Sequence, residues 1–172
     1  MNSPEPCSEN AKTPSVSVII PALHGDQSNL DRLKNAVLEA GFERDDVEIL
    51  AAIGIRPNGR ARDVAVLSAR GDILLMMDAD VSFPQPEDLR RLVEFLRDHP
   101  EAGLVGPAQQ IPPDLGETAR NRARQLPRTH VEAPETFREC DMVTHACMAL
   151  RTEDFLRVGM EHPNLISGTD PD

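Results

Sequence analysis

The chain has 172 residues, 40% of them hydrophobic, and carries a formal net charge of −11. This length and composition are typical of one globular domain and exclude a fibrous or low-complexity chain. The negative charge argues against a nucleic-acid partner, because affinity for phosphate backbones depends mostly on lysine and arginine. The N-terminus lacks a signal-peptide pattern and no apolar run is long enough to span a bilayer, so we expect a cytoplasmic protein without a transmembrane segment.

Residues 1–14 are polar and rich in proline and serine, which predicts a disordered leader before a single domain over residues 15–172. The three cysteines lack the spacing of a zinc site or a disulfide framework. Cys7, Cys140 and Cys147 are therefore expected to be free thiols.

The first predicted elements are a strand and a helix joined by a short loop. Residues 16–20 form an apolar run that predicts a buried strand, stopped by the proline that follows. Residues 22–27 come next and are a candidate ligand loop, because they lie at a strand's carboxyl end. Ser28, with Asp31 three residues later, predicts the N-cap of a helix that Gly41 ends.

A second strand and helix are predicted over residues 47–53 and 61–69. Arg60 and Arg62 lie near the start of this helix, where guanidinium and backbone N–H groups suit a phosphate. The alternative is that both arginines are ordinary surface charges.

An unbroken apolar run over residues 73–77 is followed by Asp78, Ala79 and Asp80. Such a run is typical of a strand covered on both faces of a parallel sheet. If the chain stays extended, both carboxylates point to one side beyond the strand's carboxyl end, where open α/β sheets bind ligands. Two nearby carboxylates favour a divalent cation that completes its shell with water and phosphate oxygens. The pattern predicts a metal-diphosphate site, although aspartate after a strand also serves as a turn or helix-cap residue.

Apolar residues at helical spacing predict a third helix that ends at His99, before a proline. Its buried face comprises Leu89, Leu92, Val93 and Leu96. Residues 103–108 predict a fourth strand. The alternation of strands and helices predicts an α/β domain with a parallel sheet.

The remaining chain contains a local basic cluster, which indicates either a phosphate-bearing ligand or a solvated helical face. Its members are Arg120, Arg122, Arg124 and Arg128. Residues 142–150 predict a further strand, and Thr152 predicts the cap of a short helix that runs through Val158. Among the histidines, His145 is the one expected near the sheet's carboxyl end.

Five motifs, taken in order, resemble those of the inverting GT-A glycosyltransferases of family 2. Residues 16–22 are similar to the family's opening strand and nucleotide loop, and residues 59–72 to the helix that leads into the metal strand. Residues 78–80 match its Asp-x-Asp motif, and residues 144–151 its acceptor-side strand. Residues 168–172 are similar to its Gly-Glu-Asp-x-Asp signature, with threonine in place of glutamate.

The resemblance implies a GT-A, Rossmann-like sandwich with a mainly parallel central sheet. It implies transfer of a sugar, with inversion, from a nucleotide-diphosphate sugar to a hydroxyl of an unknown glycan, lipid or small-molecule acceptor. Asp80, together with Asp78, would bind Mg²⁺ or Mn²⁺, and Asp170 would be the general base. The residues implied in donor binding are Pro21, Ala22, Leu23, Arg60, Asp78 and Ala79.

The chain departs from the family pattern in two places. Residues 51–54 read AAIG where the family carries an acidic motif that holds the nucleotide base. The chain also stops at Asp172, where relatives continue, so a catalytic domain truncated at its C-terminus is one expectation. The alternative is a non-catalytic or degenerate nucleotide-sugar-binding domain. A dehydrogenase or a P-loop enzyme would need G-x-G-x-x-G or Gly-Lys-Ser/Thr, and the sequence has neither.

Overall fold

The computed structural model describes residues 14–110, 116–118, 121, 136–140 and 142–162. The strands are β1 (Val16–Ala22), β2 (Val47–Ile53), β3 (Ile73–Met77), β4 (Leu104–Val105) and β5 (Cys147–Arg151). The helices are α1 (Gln27–Glu39), α2 (Asn58–Val66), α3 (Glu87–Asp98) and α4 (Thr152–Arg157), with a short 3-10 turn at Arg44–Asp46.

The strands form one sheet in the order β2-β1-β3-β5-β4. β1 pairs in parallel with β2 and with β3, whereas β5 is antiparallel to both β3 and β4. β4 therefore runs in the same direction as β1, β2 and β3. The predicted α/β class with a mainly parallel sheet is confirmed. The tertiary structure adds the reversed strand β5, which separates β4 from β3.

Helices cover both faces of the sheet because successive side chains of a buried strand point to opposite faces. In β1, Val16, Val18 and Ile20 pack into one core with buried residues of α1 and α3. Ile19, between them, packs into a second core with buried residues of α2 and with Phe155 of α4. The sheet is thus the middle of three layers.

Strong local patterns set several boundaries as predicted. β2 and β3 occupy the predicted residues, and the four predicted core positions of α3 are buried. Gly41 follows the end of α1 with φ +82°, as a helix-ending glycine requires. The fourth and fifth strands are shorter than predicted, since β4 has two residues and β5 begins only at Cys147.

β1 does not stop before Pro21 but continues through Ala22. Its pairing with β3 ends at the Ile19–Met76 pair, whereas its pairing with β2 continues to the end of the strand. Beyond Ile19, β1 therefore lacks a ladder partner on the β3 side. A proline, which has no N–H to donate, is tolerated at such a position.

Two predicted helix starts and one predicted helix cap were wrong. α1 begins at Gln27, one residue before Ser28, and no side chain caps it. α2 begins at Asn58, three residues before the predicted start. The hydroxyl of Thr152 does not cap α4 but donates to the Gly71 carbonyl at 2.6 Å, which links α4 to the start of β3. In the part of the chain that the structure describes, no helix combines the length and apolarity needed to cross a bilayer.

Candidate functional site

The carboxyl ends of β1, β2 and β3 lie side by side, because these strands are parallel neighbours in the sheet. The last residues of β1 and β2, Ala22 and Ile53, form a pair in the ladder. β5 runs the opposite way, so the loop before it reaches the same place, and the Asp78 N–H donates to the Ala146 carbonyl at 3.0 Å. We call the residues just after β1, β2 and β3, with those just before β5, the carboxyl-end edge.

The two aspartates of the Asp-x-Asp motif lie at this edge in different environments. β3 ends at Met77, and the chain turns at once, with the Val81 N–H 3.4 Å from the Asp78 carbonyl. The chain is therefore not extended at Asp78 and Asp80, so the condition under which both carboxylates would point to one side is not met. The Asp78 side chain is 16% exposed, whereas Asp80 is exposed to solvent.

Asp78 forms an ion pair with Arg62 of α2. The Arg62 side chain is fully buried, and its Nη2 donates to Asp78 Oδ1. The interpretation of Arg62 as a surface charge is thus wrong. Arg60, on the same helix, is exposed, as a solvent-facing charge should be. Because a buried cation is costly without a counter-charge, Arg62 fixes the position of the Asp78 carboxylate.

The sequence already contained a signal for this burial of Arg62. Ala61, Ala65 and Val66 are buried with it, so all four lie on one face of α2. An arginine on an apolar helix face requires a carboxylate partner in the fold.

Glu161, which follows α4 in the chain, is a site residue that the sequence analysis missed. Its Oε1 accepts from Arg62 Nη1 at 3.3 Å, and its backbone N–H donates to Asp63 Oδ1 at 3.1 Å. His145 Nε2 lies 3.9 Å from the same Glu161 oxygen. Glu161 is 99 residues from Arg62 in sequence, so no local pattern could have predicted the contact.

Arg32 holds the Asp-x-Asp turn from the side of α1. Its Nη2 donates to the Val81 carbonyl at 2.9 Å and lies 3.4 Å from the Ala79 carbonyl. These carbonyls flank Asp80 in the chain, so the exposed Arg32 orients the backbone that carries this carboxylate. Arg32 is a second residue that the sequence analysis missed.

Burial alters the acidity of two groups beside Asp78 and Glu161. Burial raises the pKa of Asp63, and the Glu161 charge adds to the rise, although the Glu161 N–H and Arg62 oppose it. Burial raises the pKa of the Cys147 thiol, and the Asp78 carboxylate raises it further. Cys147 therefore stays protonated at neutral pH and is a buried free thiol, as predicted.

The donor atoms of the motif fit a hard divalent ion at Asp80 better than at Asp78. Asp80 presents an exposed carboxylate, whereas Asp78 Oδ1 is bound to Arg62. Among the described residues, no three histidines, cysteines or acids converge on one metal position. Mg²⁺ does not require such a cluster, since one or two carboxylates, water and substrate phosphates complete its shell.

The candidate nucleotide loop follows β1. Pro21 and Ala22 are buried within the strand, and Leu23 is the first exposed residue after it. The Leu23 N–H donates to Asp26 Oδ2 at 2.7 Å, which shapes the loop. The His24 ring lies directly over Gly54, which has φ +73° at the end of β2.

Several predicted residues lie outside the described part of the chain. They are the leader up to residue 13, the basic cluster at Arg120, Arg122, Arg124 and Arg128, and Asp170.

Comparisons with known proteins agree with this architecture. The glycosyl transferase family 2 model matches residues 57–159. No curated protein sequence matches the chain significantly. The solved mannosyltransferase PcManGT from Pyrobaculum calidifontis, in complex with GDP-Man and Mn²⁺, is 20% identical with a TM-score of 0.60, over 92% of this chain and 50% of that one.

TarS 1-349 from S. aureus, in complex with UDP, is 15% identical with a TM-score of 0.63, over 90% of this chain and 52% of that one. The chain thus spans about half the length of these two structures. At such identities the likeness shows the fold, which is the expected GT-A fold. Since the family match covers more than half of its residues, the chain belongs to glycosyl transferase family 2.

Proposed function

We propose that residues 15–172 form a catalytic domain that transfers a sugar from a nucleotide-diphosphate sugar to a hydroxyl acceptor, with inversion and with a divalent cation. The observation that carries the proposal is the exposed Asp80 carboxylate at the carboxyl-end edge, beside an Asp78 fixed by Arg62. This edge is where open α/β sheets bind ligands. The complexes of PcManGT with GDP-Man and Mn²⁺ and of TarS with UDP support a donor of this class.

Each proposed role follows from the chemistry of the side chain. Asp80 would hold Mg²⁺ or Mn²⁺, which when bound supplies positive charge to the departing diphosphate. Asp78, held at a defined orientation by Arg62, would accept hydrogen bonds from the ribose or from the water shell of the ion. The exposed Arg60 would contact the diphosphate, as its place in the first turn of α2 suggests.

The residues at the end of β1 would complete the donor site. Pro21 and Ala22 are buried and would shape its floor, whereas the exposed Leu23 and the half-buried Ala79 are open to a donor.

The proposed reaction is a single displacement. The acceptor oxygen forms a bond to the anomeric carbon while the bond from that carbon to the diphosphate oxygen breaks. Asp170 would take the acceptor's proton. Attack opposite the leaving group inverts the anomeric centre.

Calorimetry with UDP, GDP, ADP and CDP, each with and without Mn²⁺, tests the donor site. Asp80→Asn should weaken Mn²⁺-dependent binding by at least about tenfold, because a direct ligand is lost. The variant should leave stability within about 0.5 kcal/mol, since the side chain is exposed. Asp72→Asn is the matched control, because Asp72 is also exposed but lies at the amino end of β3. Equal binding by Asp80→Asn and wild type would refute the metal assignment.

A second candidate function is donor binding without transfer. It is favoured by the end of β2, where the exposed Ile53 precedes Gly54 and residues 51–54 contain no carboxylate for a nucleotide base. An assay for sugar transfer with the donor that binds best separates the two functions. If the wild type binds the donor without transferring its sugar, and Asp170→Asn behaves in the same way, donor binding without transfer is the function favoured.

A further inference from the structure

Arg62 divides its guanidinium between two carboxylates. Nη2 donates to Asp78 Oδ1, and Nη1 donates to Glu161 Oε1 at 3.3 Å. Nε is buried and has no hydrogen-bond partner. An arginine frequently binds one carboxylate through two parallel N–H···O bonds. Here the second Nη group is turned away from Asp78 towards Glu161.

We propose that Glu161 is a positioning residue that keeps Arg62 from binding Asp78 with both Nη groups, and so keeps the Asp78 carboxylate oriented for the sugar donor. The inference rests on the proposed function, because it assigns Asp78 to donor binding. Glu161 acts through Arg62 and does not itself touch the donor.

The position of Glu161 is set by α2 as well as by Arg62. Its backbone N–H donates to Asp63 Oδ1, and its side chain is only 9% exposed. Gly59 provides the room for this side chain, since a Cβ at residue 59 would lie 2.6 Å from Glu161 Oε2. A methyl group there would displace the carboxylate from its place beside Arg62.

Removal of the Glu161 carboxylate leaves Asp78 as the carboxylate partner of Arg62 in the described part of the chain. Nη1 of the fully buried guanidinium then has no carboxylate acceptor, and a buried donor is costly to leave without one. Arg62 is therefore expected to turn Nη1 to Asp78, which withdraws that carboxylate from the donor.

Binding of the wild type's preferred nucleoside diphosphate with Mn²⁺ tests the proposal by calorimetry. Glu161→Ala should weaken binding by about tenfold, whereas Glu161→Gln, which keeps an acceptor oxygen, should stay within about threefold of wild type. Glu153→Ala, at an exposed glutamate of α4, is the control and should bind like wild type. Unchanged binding by Glu161→Ala would overturn the inference.

Gly59→Ala tests the same contact by displacing the Glu161 carboxylate instead of removing it. The methyl displaces the Glu161 carboxylate from the buried Arg62, so this variant should melt below wild type, and it should weaken nucleotide binding for the same reason. In the Glu161→Ala background the same substitution should cost nothing further. A full additional loss in the double variant would show that the methyl acts on the ligand directly, against the proposal.

Coupling between Glu161 and Asp78 gives a readout that a merely structural role would not change. If Glu161 acts through Arg62 on Asp78, Asp78→Asn and Glu161→Ala should be non-additive in nucleotide binding. Independent, additive losses would contradict the inference.

A crystal structure of Glu161→Ala decides the geometry without any nucleotide. Both Nη groups of Arg62 are expected on Asp78, and an unmoved guanidinium would overturn the inference. If the wild type binds no nucleoside diphosphate with Mn²⁺, the proposed function fails, whereas the crystal structure still tests the geometry at Arg62.

Discussion

Two arginines hold the Asp-x-Asp turn from opposite sides. Arg62 binds the Asp78 carboxylate from within the fold, and Arg32 binds the carbonyls of Ala79 and Val81 from the surface. The two contacts differ in energetic weight. A buried charge is costly to leave unpaired, whereas an exposed hydrogen bond contributes little net stability. Arg62 should therefore matter for folding, and Arg32 mainly for the orientation of the turn.

Arg62→Met should lower the free energy of unfolding by about 3–5 kcal/mol, because it leaves Asp78 and Glu161 without their shared cation. Urea unfolding at neutral pH measures this loss. Arg60→Met, at the exposed arginine of the same helix, should change stability by less than about 0.5 kcal/mol. Similar stabilities for both variants would contradict the weight given to the buried ion pair.

Arg32→Met should weaken Mn²⁺-dependent nucleotide binding by about threefold to tenfold, because the backbone around Asp80 loses its hydrogen-bond donor. The melting temperature should change little. Lys34→Met, at an exposed cation of the same helix, is the control for the loss of one positive charge. If both variants weaken binding equally, the effect is one of general charge and the positioning role of Arg32 is refuted.

The amino end of β3 is fixed as firmly as its carboxyl end. Gly71 lies against β1, where a Cβ would meet the Ser17 nitrogen at 2.6 Å and the Val16 carbonyl carbon at 2.7 Å. The Gly71 N–H donates to Ser17 Oγ at 2.9 Å, and its carbonyl accepts from Thr152. Glycine is required here by close backbone approach, which lets β3 enter the sheet beside β1.

Gly71→Ala should destabilise the fold by about 1–3 kcal/mol or more, because backbone atoms of β1 cannot move aside as a flexible side chain can. Gly103→Ala is the matched control, since nothing lies within 4 Å of a Cβ at that position. Urea unfolding of the two variants should separate them clearly. A Gly71→Ala protein as stable as the control would contradict the close packing of β1 and β3.

At the scale of the whole molecule, a polar cluster at the amino end of β2 links three strands near the points where they begin. Glu48 of β2 accepts from Ser17 Oγ of β1 and from the backbone and side chain of Arg70, just before β3. Burial alone would raise the pKa of Glu48. The hydrogen bonds from Ser17 and Arg70, with the Arg70 charge, outweigh burial and lower the pKa.

A lowered pKa in the folded state means that Glu48 contributes stability above its unfolded pKa, roughly 4.3, and loses this contribution as the pH falls through its folded pKa. The stability difference between wild type and Glu48→Gln should therefore be largest at neutral pH and shrink on acidification. Urea unfolding at several pH values measures it. Asp63, whose pKa is raised, changes the pH dependence of stability in the opposite sense. Because wild type and Glu48→Gln both contain Asp63, the difference between them reports the contribution of Glu48 alone.

The candidate site was predictable in part. An apolar run that ends in Asp78 and Asp80 indicates a strand and a polar carboxyl end, because both are features of adjacent residues. The contacts that orient these aspartates were not predicted. Arg62 lies 16 residues before Asp78 in the sequence, and Glu161 lies 99 residues after Arg62. Only the packing of α2 and of the segment after α4 brings them together.

The sequence by itself determined the α/β class, the positions of β2 and β3, and the buried face of α3, because side-chain periodicity and continuous apolar runs are local. The tertiary structure alone decided that β5 enters the sheet antiparallel between β3 and β4, and that β1 continues through a proline. Strand pairing is a contact between distant segments. The energy of a strand pairing depends on which strand edges still lack hydrogen-bond partners and which buried charges still lack counter-charges in the whole fold. No single stretch of sequence contains that information.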